Sequence, residues 1–471
     1  MNNNMKRPYL YKFLALLSAA VTLCGISGCS NTGQISSEGM VKVGSMNVET
    51  DAGYTDESPK EEPEGVFASD DGLCTIVKYP SYYGVILDYE KGSPSDVGAA
   101  YAETILKAVP DYETVFEPYL FENIRNAFSG RDIRFDSLEK RIMSLISSLP
   151  DEYREEVESF AKTIADGEEG YLENGKLSYI EALTMQLIPD ALRPTACSAL
   201  TIGGSRTVSG ERLTMRNLEW SLGSSAQMTQ IHAVTFMKKG ENSITAISVL
   251  GLFDMITAVN DDGVMIGILD VGTVNRIPFV YEDKKSYTFD IRYVLENFDN
   301  AADAAKYLSE NSGSYTWCHN LLVTDSRDAF CCENATAEAV AEGRAHSVIR
   351  TPDTPLMEGL VWSTPDTLCI VNSYATEGNQ DGFSGEPGNM IRFVKYNNWV
   401  SETEKFSVAD LKGIMAREVV DQYEVANVHN SGTVHTVILD YATGSLHVAF
   451  TTGDCADDIP EYVYVGNIKF D

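Results

Sequence analysis

The residue types with the clearest chemistry lie in the segment CSALTIGGSRTVSGERLTMRNLEW, which begins at Cys197. A Cys-Ser pair leads into an apolar stretch and a glycine-rich turn, and a second stretch then ends in Arg216, Asn217, Glu219 and Trp220. A cysteine thiolate is a strong nucleophile, which makes Cys197 a candidate for nucleophilic chemistry. The alternative is a buried or disulfide-bonded cysteine.

The constellation resembles the N-terminal-nucleophile hydrolases of the choloylglycine hydrolase and penicillin acyltransferase group, along nearly all of the segment from Cys197 to Asp471. The resemblance implies that the Ala196–Cys197 bond is cut and that Cys197 becomes the first residue of a mature chain. A free α-amine has a pKa of about 7.7–8.0, so it could take the thiol proton itself. No cofactor, metal or separate catalytic histidine is implied.

The resemblance also assigns roles to two residues of the same segment. Arg216 and Glu219 lie where the family has an arginine and an aspartate near the nucleophile. There the acid orients the new amine, and the arginine favours the thiolate and the substrate carbonyl. Glu219 is one methylene longer than the usual aspartate, and the alternative for Arg216 is a surface ion pair with Glu219.

Three residues farther along resemble other family positions. Asn260, in AVNDDGVMIGIL, is expected to donate its side-chain amide to a developing oxyanion, and its alternative is a hairpin turn. Asn320, in CHNLLVTDSRDAFCCEN, resembles the second family asparagine, with a cap or turn as its alternative. Arg392, in GNMIRFVKY, is expected to support the nucleophile, and its alternative is a solvated arginine on a helix.

The elements that must position these residues differ on the two sides of Cys197. Short apolar runs from Cys74 to Tyr89 suggest a few strands, and the remainder up to residue 196 has apolar residues at helical spacing. After Cys197, strands and tight turns alternate with helices. Together with the resemblance, this predicts an α+β fold, a four-layer αββα sandwich with a mostly helical N-terminal prosegment.

The domain boundaries follow from these patterns. Residues 66–196 are expected to form the prosegment, because LPDEYREEVESFAKTIADG resembles the prosegment helix of the acyltransferase branch. Residues 197–471 are expected to form the catalytic domain. The prosegment is too long to be a mere leader, so we expect it to stay bound after cleavage as a small subunit.

The N-terminus has the pattern of an exported lipoprotein. Three basic residues precede an apolar run that ends in Ile-Ser-Gly-Cys at Cys29, which predicts a signal peptide over 1–28 and acylation of Cys29. Residues 29–65 are rich in Ser, Gly, Glu, Asp and Pro and are expected to form a disordered tether. The expected location is a bacterial cell envelope, with the chain held on the membrane by its lipid.

Charge and cysteine content limit the other possibilities. The formal net charge of −33 argues against binding to nucleic acid. Apart from Cys197 and the two N-terminal cysteines, six cysteines remain, which an exported protein could pair, although the pairing cannot be deduced. The oligomeric state is also open.

The expected reaction is hydrolysis of a linear amide of an N-acyl compound, through a thioester on Cys197. Acyl transfer to another amine is the alternative within the enzyme class, and a non-catalytic lipid-anchored solute-binding protein is the alternative outside it. Two less favoured alternatives are a papain-like protease using His429 or His435, and a zinc site. The side chains proposed for that zinc site are Cys318, His319, Cys331 and Cys332. Four aromatic residues could line an acyl pocket, or pack in the core: Phe279, Tyr281, Tyr287 and Trp317.

Overall fold

The structure is a computed structural model that describes residues 34–35, 41–42, 53–128, 133–192, 196–272, 279–379, 387–418, 428–430, 432–452 and 459–468. The predicted signal peptide, Cys29 and Cys455 lie outside these residues. Gln34–Ile35 and Val41–Lys42 pair as antiparallel strands in a separate small unit. None of the helices in the described ranges has the length and apolarity that a membrane span requires.

Between residues 53 and 192, the described part of the chain has three strands followed by five α-helices. The strands are β1 (Gly65–Ala68), β2 (Cys74–Lys78) and β3 (Tyr83–Asp88). The helices are α1 (Pro94–Ala108), α2 (Tyr112–Ala127), α3 (Phe135–Ser148), α4 (Asp151–Ala165) and α5 (Tyr179–Met185). Ser93 and Asp96 form a capping box at the start of α1, which explains why the helix begins there.

The part from Ala196 onwards alternates between strands and helices. Its strands are β4 (Ala196–Ile202), β5 (Leu213–Glu219), β6 (His232–Lys238), β7 (Ile244–Val249), β8 (Thr257–Asn260), β9 (Met265–Asp270), β10 (His319–Thr324), β11 (Ala329–Asn334), β12 (Val348–Arg350), β13 (Thr367–Ile370), β14 (Thr433–Asp440), β15 (Ser445–Phe450) and β16 (Tyr462–Asn467). Its helices are α6 (Tyr287–Asn297), α7 (Ala301–Glu310), α8 (Ala337–Ala341), α9 (Pro387–Glu402) and α10 (Val408–Glu418).

Two sheets pack face to face between layers of helices. The large sheet has the order β12-β11-β10-β9-β8-β7-β6-β3-β2-β1, and the small sheet has the order β13-β4-β5-β14-β15-β16. Helices α1, α6 and α7 contact the large sheet, α9 and α10 contact the small sheet, and β9 contacts β4 across the interface between the sheets. The predicted α+β, αββα fold is therefore confirmed.

The segment before Cys197 contributes more to the sandwich than its helical sequence predicts. Its strand β3 pairs in parallel with β6, so β1, β2 and β3 complete one edge of the large sheet. The other strand pairs described in the two sheets are antiparallel. This topology differs from the parallel sheet expected of a solute-binding lipoprotein.

The expectation of a disordered tether is wrong for its C-terminal part, residues 53–64. The Tyr54 hydroxyl donates to the Pro460 carbonyl, and its ring packs edge-on against Tyr462. The Lys412 ammonium on α10 donates to the carbonyls of Thr55 and Glu57. These residues therefore form an ordered strap along the small sheet and α10, because several of their polar groups find partners there.

The six described cysteines beyond residue 53 are buried: Cys74, Cys197, Cys318, Cys331, Cys332 and Cys369. No disulfide joins any two of these six residues. Burial raises the pKa of the Cys74 and Cys331 thiols to about 12, so both are protonated near neutral pH.

Candidate active site

Cys197 lies at the second position of β4, next to the centre of the small sheet. It is fully buried and faces Leu218 in the β4–β5 pair, while Ala199 faces Arg216. Because side chains two residues apart share one face of a strand, Arg216 is a diagonal neighbour of Cys197. The antiparallel pair therefore brings together two residues that are nineteen positions apart in the chain.

Arg216 supplies a buried positive charge beside the thiol. Its Nη2 atom lies 3.5 Å from the Cys197 Sγ and donates to the Ile268 carbonyl at 2.8 Å. A Cβ on Gly267 would lie 3.1 Å from two atoms of the Arg216 side chain, so glycine leaves the space that the arginine needs. Burial lowers the pKa of Arg216, and the nearby Cys197 opposes that shift. The alternative of a surface ion pair is wrong.

Glu219, the last residue of β5, forms a buried ion pair with Arg392 on α9. The Arg392 Nη1 atom donates to Glu219 Oε2 at 2.7 Å, and both side chains are almost entirely buried. Burial raises the pKa of Glu219, and the charge of Arg392 counteracts this effect. The alternative of a solvated helical arginine is therefore wrong, since α9 turns Arg392 inward.

Asn372 is the site residue that the sequence analysis missed. The Cys197 backbone N donates to the Asn372 Oδ1 atom at 2.6 Å, and Arg392 Nη2 donates to the same oxygen at 2.9 Å. The Asn372 amide in turn donates to the Asp270 carbonyl at 2.8 Å. The atom that would become the α-amine is thus held by Asn372. An Asn-Ser pair directly after a buried apolar strand was the signal available in the sequence.

Replacing Asn372 with Ala is expected to slow cleavage of the Ala196–Cys197 bond by about tenfold to a hundredfold, because both Cys197 N and Arg392 would lose an acceptor. The rate is measured from the appearance of the two pieces on a denaturing gel during expression and incubation. Asn389→Ala is the matched control, since Asn389 accepts from Arg392 Nη2 at 2.5 Å. Equal slowing in both variants would show that only the position of Arg392 matters.

Asn320 holds the loop that carries Asn372 and does not donate to the reacting group. Its Nδ2 atom donates to the carbonyls of Val371 and Ser373 at 2.9 and 3.1 Å, which uses both amide hydrogens. Both hydrogen bonds tie Asn320 to the backbone of the loop after β13. Asn320 fixes the backbone on either side of Asn372 instead.

Glu333 holds the other end of the same loop. It faces Asn320 in the β10–β11 pair and accepts hydrogen bonds from the backbone N of Ala375 and Thr376. Arg350 Nε donates to its Oε1 atom at 3.0 Å. Both carboxylate oxygens of Glu333 therefore accept hydrogen bonds. Asn320 on β10 and Glu333 on β11 thus hold the two ends of the loop that carries Asn372.

Asn260 occupies a turn, which was its alternative interpretation. Its Nδ2 atom donates to the carbonyls of Leu295 and Phe298, and its Oδ1 atom accepts from Val264 N. Gly263, in the turn, has a positive φ of 82°, which glycine adopts without strain. Both amide hydrogens are used to join the hairpin to α6, so the geometry does not support an oxyanion role.

The aromatic residues expected at an acyl pocket divide into two groups. Tyr287 is buried and stacks on the ring of His319, with ring centroids 4.3 Å apart, so it belongs to the core. Phe279, Tyr281 and Trp317 remain partly exposed, and Phe279 lies 4.6 Å from Trp317 between ring centroids. Of the four aromatic residues, these three keep part of their surface exposed.

The geometry gives little support to the two remaining alternatives, a papain-like protease and a zinc site. Cys197 lies in a strand, whereas a papain-like thiol opens a helix. His435 bonds to Thr257 at 3.4 Å, and burial and the charge of Arg216 hold its pKa well below the usual value. Within the described ranges, no group of three or more His, Cys, Asp or Glu side chains is arranged to hold a metal ion.

Comparison with known proteins gives weak structural similarities only. No protein-family model matches the chain, and no curated protein matches it. It is similar to an N-acylethanolamine-hydrolyzing acid amidase ortholog of Caenorhabditis elegans, with 12% identity and a TM-score of 0.35 over 52% of this chain and 93% of that one.

Two further solved structures are similar at the same level. One is a mutant of the conjugated bile acid hydrolase from Clostridium perfringens, with 12% identity and a TM-score of 0.36 over 58% of this chain and 94% of that one. The other is penicillin V acylase from Agrobacterium tumefaciens, with 12% identity and a TM-score of 0.33 over 54% of this chain and 83% of that one. At these TM-scores the similarities assign no activity to this chain.

Proposed function

We propose that the chain is a self-processing amidohydrolase in which Cys197 attacks linear amides of N-acyl compounds. The observation that carries this proposal is the contact of Cys197 with both of its partners. Its Sγ atom lies 3.5 Å from Arg216, and its backbone N donates to Asn372. A thiol next to a buried cation is favoured as the thiolate, and the N atom beside it becomes a base once it is freed.

Self-processing would begin with attack of Cys197 Sγ on the Ala196 carbonyl carbon. The Ala196–Cys197 C–N bond breaks as the S–C bond forms, and the Cys197 nitrogen takes up the proton and becomes an amine. Water then hydrolyses the thioester, which leaves a carboxylate on Ala196 and a free thiol on Cys197. The chain itself supplies the electrophile for its own activation.

Turnover of a substrate would follow the same course. The α-amine takes the thiol proton, Sγ attacks the amide carbonyl carbon, and the leaving nitrogen receives that proton. Water hydrolyses the thioester and restores the thiol. Arg216 stabilises the negative charge that develops beside it, and Glu219 with Arg392 and Asn372 fixes the position of the amine.

The proposal is tested with a panel of N-acyl amides incubated with the purified protein, in which the released amine is measured. We expect mass spectrometry to show two pieces that meet between residues 196 and 197, and amine release only from preparations that contain them. Adding a second amine to the assay distinguishes hydrolysis from acyl transfer. An unbroken chain at position 197 in active protein would contradict the mechanism, and an unbroken inactive chain would favour a binding protein.

We further propose that the N-terminal piece remains bound after cleavage. Strand β3 is hydrogen-bonded within the large sheet, so separation would expose the edge of β6. A buried ionic network also joins the two pieces. Arg292 on α6 pairs with Glu156 on α4, and the Tyr153 hydroxyl donates to Glu296 at 2.8 Å. Separation would leave Glu156 without Arg292, whereas Arg292 would keep only its pair with Glu296 on the same helix.

Replacing Glu156 with Gln is expected to weaken the association of the two pieces by about 1.5–3 kcal/mol, because Arg292 would lose its charge-assisted hydrogen bonds to Glu156 and keep its pair with Glu296. The measurement is size-exclusion chromatography of processed protein in increasing urea. Glu155→Gln is the control, since Glu155 is an exposed neighbour on the same helix. Dissociation at the same urea concentration in both variants would show that the network does not hold the pieces together.

Export and lipid anchoring remain part of the proposal. The sequence pattern before Cys29 supports acylation there, and the ordered strap at residues 53–64 would link the lipid to the enzyme. Retention of both pieces would then keep the catalytic piece at the membrane. Replacing Cys29 with Ser should release both pieces from the membrane fraction together, whereas membrane retention of the variant would contradict this anchor.

A further inference from the structure

Arg141 on α3 is a cation without a carboxylate partner, in the piece that precedes the cleavage site. Its guanidinium carbon lies 3.9 Å from the Phe279 ring centroid and 5.4 Å from that of Phe128. Its side chain forms no ion pair with any described residue. The chain has 69 acidic and 36 basic residues, so an arginine left without an acid is unexpected.

Two buried donors near the same aromatic ring lack acceptors. The Arg141 Nε atom and the Trp317 indole N–H both have no hydrogen-bond partner, and both side chains contact Phe279. The Arg141 Nη1 atom donates to the Ala191 carbonyl at 2.6 Å. A buried donor without an acceptor costs free energy, so this place favours a ligand that carries an acceptor group.

Arg141 is connected to the acyl side of the bond that Cys197 is proposed to attack. Its partner Ala191 lies five residues before Ala196, whose carbonyl would be attacked. Five residues span at most about 18 Å, which sets an upper limit on the distance between the backbone of Ala191 and that of Ala196.

The large sheet connects the same place to the nucleophile. The Trp317 carbonyl lies 2.9 Å from the ring Nδ1 of His319, which faces Asp270 in the β9–β10 pair. The Asp270 carbonyl accepts from Asn372, whose Oδ1 atom holds Cys197 N. The aromatic residues and the nucleophile therefore lie at the same end of β9 and β10.

We propose that Arg141, Phe279 and Trp317 form a carboxylate subsite, which we call the Arg141 subsite, for the far end of the substrate's acyl group. The inference rests on the proposed function and narrows it to amides of dicarboxylic acids. The methylenes pack against the two rings, and the terminal carboxylate accepts charge-assisted hydrogen bonds from the guanidinium. Burial lowers the pKa of Arg141 only to about 10, so the side chain keeps its charge at neutral pH.

The test compares the monoamide of adipic acid with the methyl ester of the same monoamide, both built on one chromogenic amine. We expect the processed wild-type protein to prefer the acid in kcat/KM by about tenfold to a hundredfold, the range for one hydrogen bond to a charged group. Arg141→Gln should lose this preference, because its kcat/KM should fall for the acid and stay unchanged for the methyl ester. Arg141→Lys, which keeps the charge, should retain part of it.

Lys140→Gln is the matched control, because Lys140 is an exposed neighbour on the same helix and its loss changes the net charge equally. It should keep the wild-type preference. Equal losses on both substrates in Arg141→Gln, or no loss on either, would overturn the Arg141 subsite.

A binding measurement separates this inference from the proposed function. Adipic acid is titrated into the full-length chain and into the Arg141→Gln and Lys140→Gln variants, and the dissociation constants are determined by calorimetry. We expect binding to weaken at least about tenfold in Arg141→Gln only. If adipic acid binds in this way but no amide is hydrolysed, the Arg141 subsite is supported and the proposed amidohydrolase activity is refuted. If amides are hydrolysed but Arg141→Gln changes neither binding nor substrate preference, the activity is supported and the Arg141 subsite is refuted.

Discussion

Replacing Cys197 with Ala is expected to leave the polypeptide as one chain of full length and to remove amide hydrolysis completely. The reason is that the same Sγ atom is proposed to attack both the Ala196 carbonyl and the substrate, and alanine has no atom that can form the thioester. Denaturing gel electrophoresis and intact-mass measurement follow the cleavage, and amine release follows the activity. Both should be lost together.

The matched control is Cys369→Ala, which removes another buried thiol of the small sheet from the strand next to β4. It should be cleaved normally. Mixing the Cys197→Ala variant with active wild-type protein tests whether cleavage occurs within one chain. Cleavage of the variant, alone or in the mixture, would show that a second protein molecule can cut the bond and would refute obligatory self-processing.

Replacing Arg216 with Gln is expected to lower kcat/KM by about a hundredfold to a thousandfold, the usual effect of removing one stabilising donor from a reacting centre. The positively charged guanidinium of Arg216 lies next to the Cys197 thiol, with its Nη2 atom 3.5 Å from the Sγ atom. Its loss should raise the pKa of the thiol, because an opposite charge at this distance favours the thiolate. The rate of thiol alkylation as a function of pH measures this change directly.

Arg216→Lys separates the charge from the geometry. A lysine would keep the positive charge but could not reach both the thiol and the Ile268 carbonyl with one planar group. It should preserve most of the alkylation profile and lose part of the activity. If Arg216→Gln left the profile unchanged, Arg216 would have a structural role only, joining the two sheets.

The Glu219–Arg392 pair indicates why a longer acid can serve in this site. Arg392 reaches Glu219 with Nη1 and Asn372 with Nη2, so one guanidinium connects the acid to the residue that holds Cys197 N. Asn217 also donates to Glu219 Oε1 at 3.2 Å. The additional methylene is thus accommodated by partners on two neighbouring elements.

The errors of the sequence analysis share one cause. Asn260 and Asn320 were selected because the segments around them resemble family motifs, but the partners of their amides come from α6 and from the loop after β13. Asn372 was missed because its contact with Cys197 joins residues 175 positions apart. A side chain's hydrogen-bond partners depend on which elements pack against it, and local spacing does not report that.

The amino-acid sequence alone indicated that Cys197, Arg216 and Glu219 belong to one pair of strands, and it indicated the alternation of strands and helices. These features depend on contacts between adjacent strands and on local periodicity, which the order of residues specifies directly. Only the tertiary structure decided that Asn372 holds Cys197 N, that β1, β2 and β3 complete the large sheet, and that Arg141 lies beside Phe279. Each of those depends on packing between distant segments, where burial and the need to pair every buried polar group select the partners.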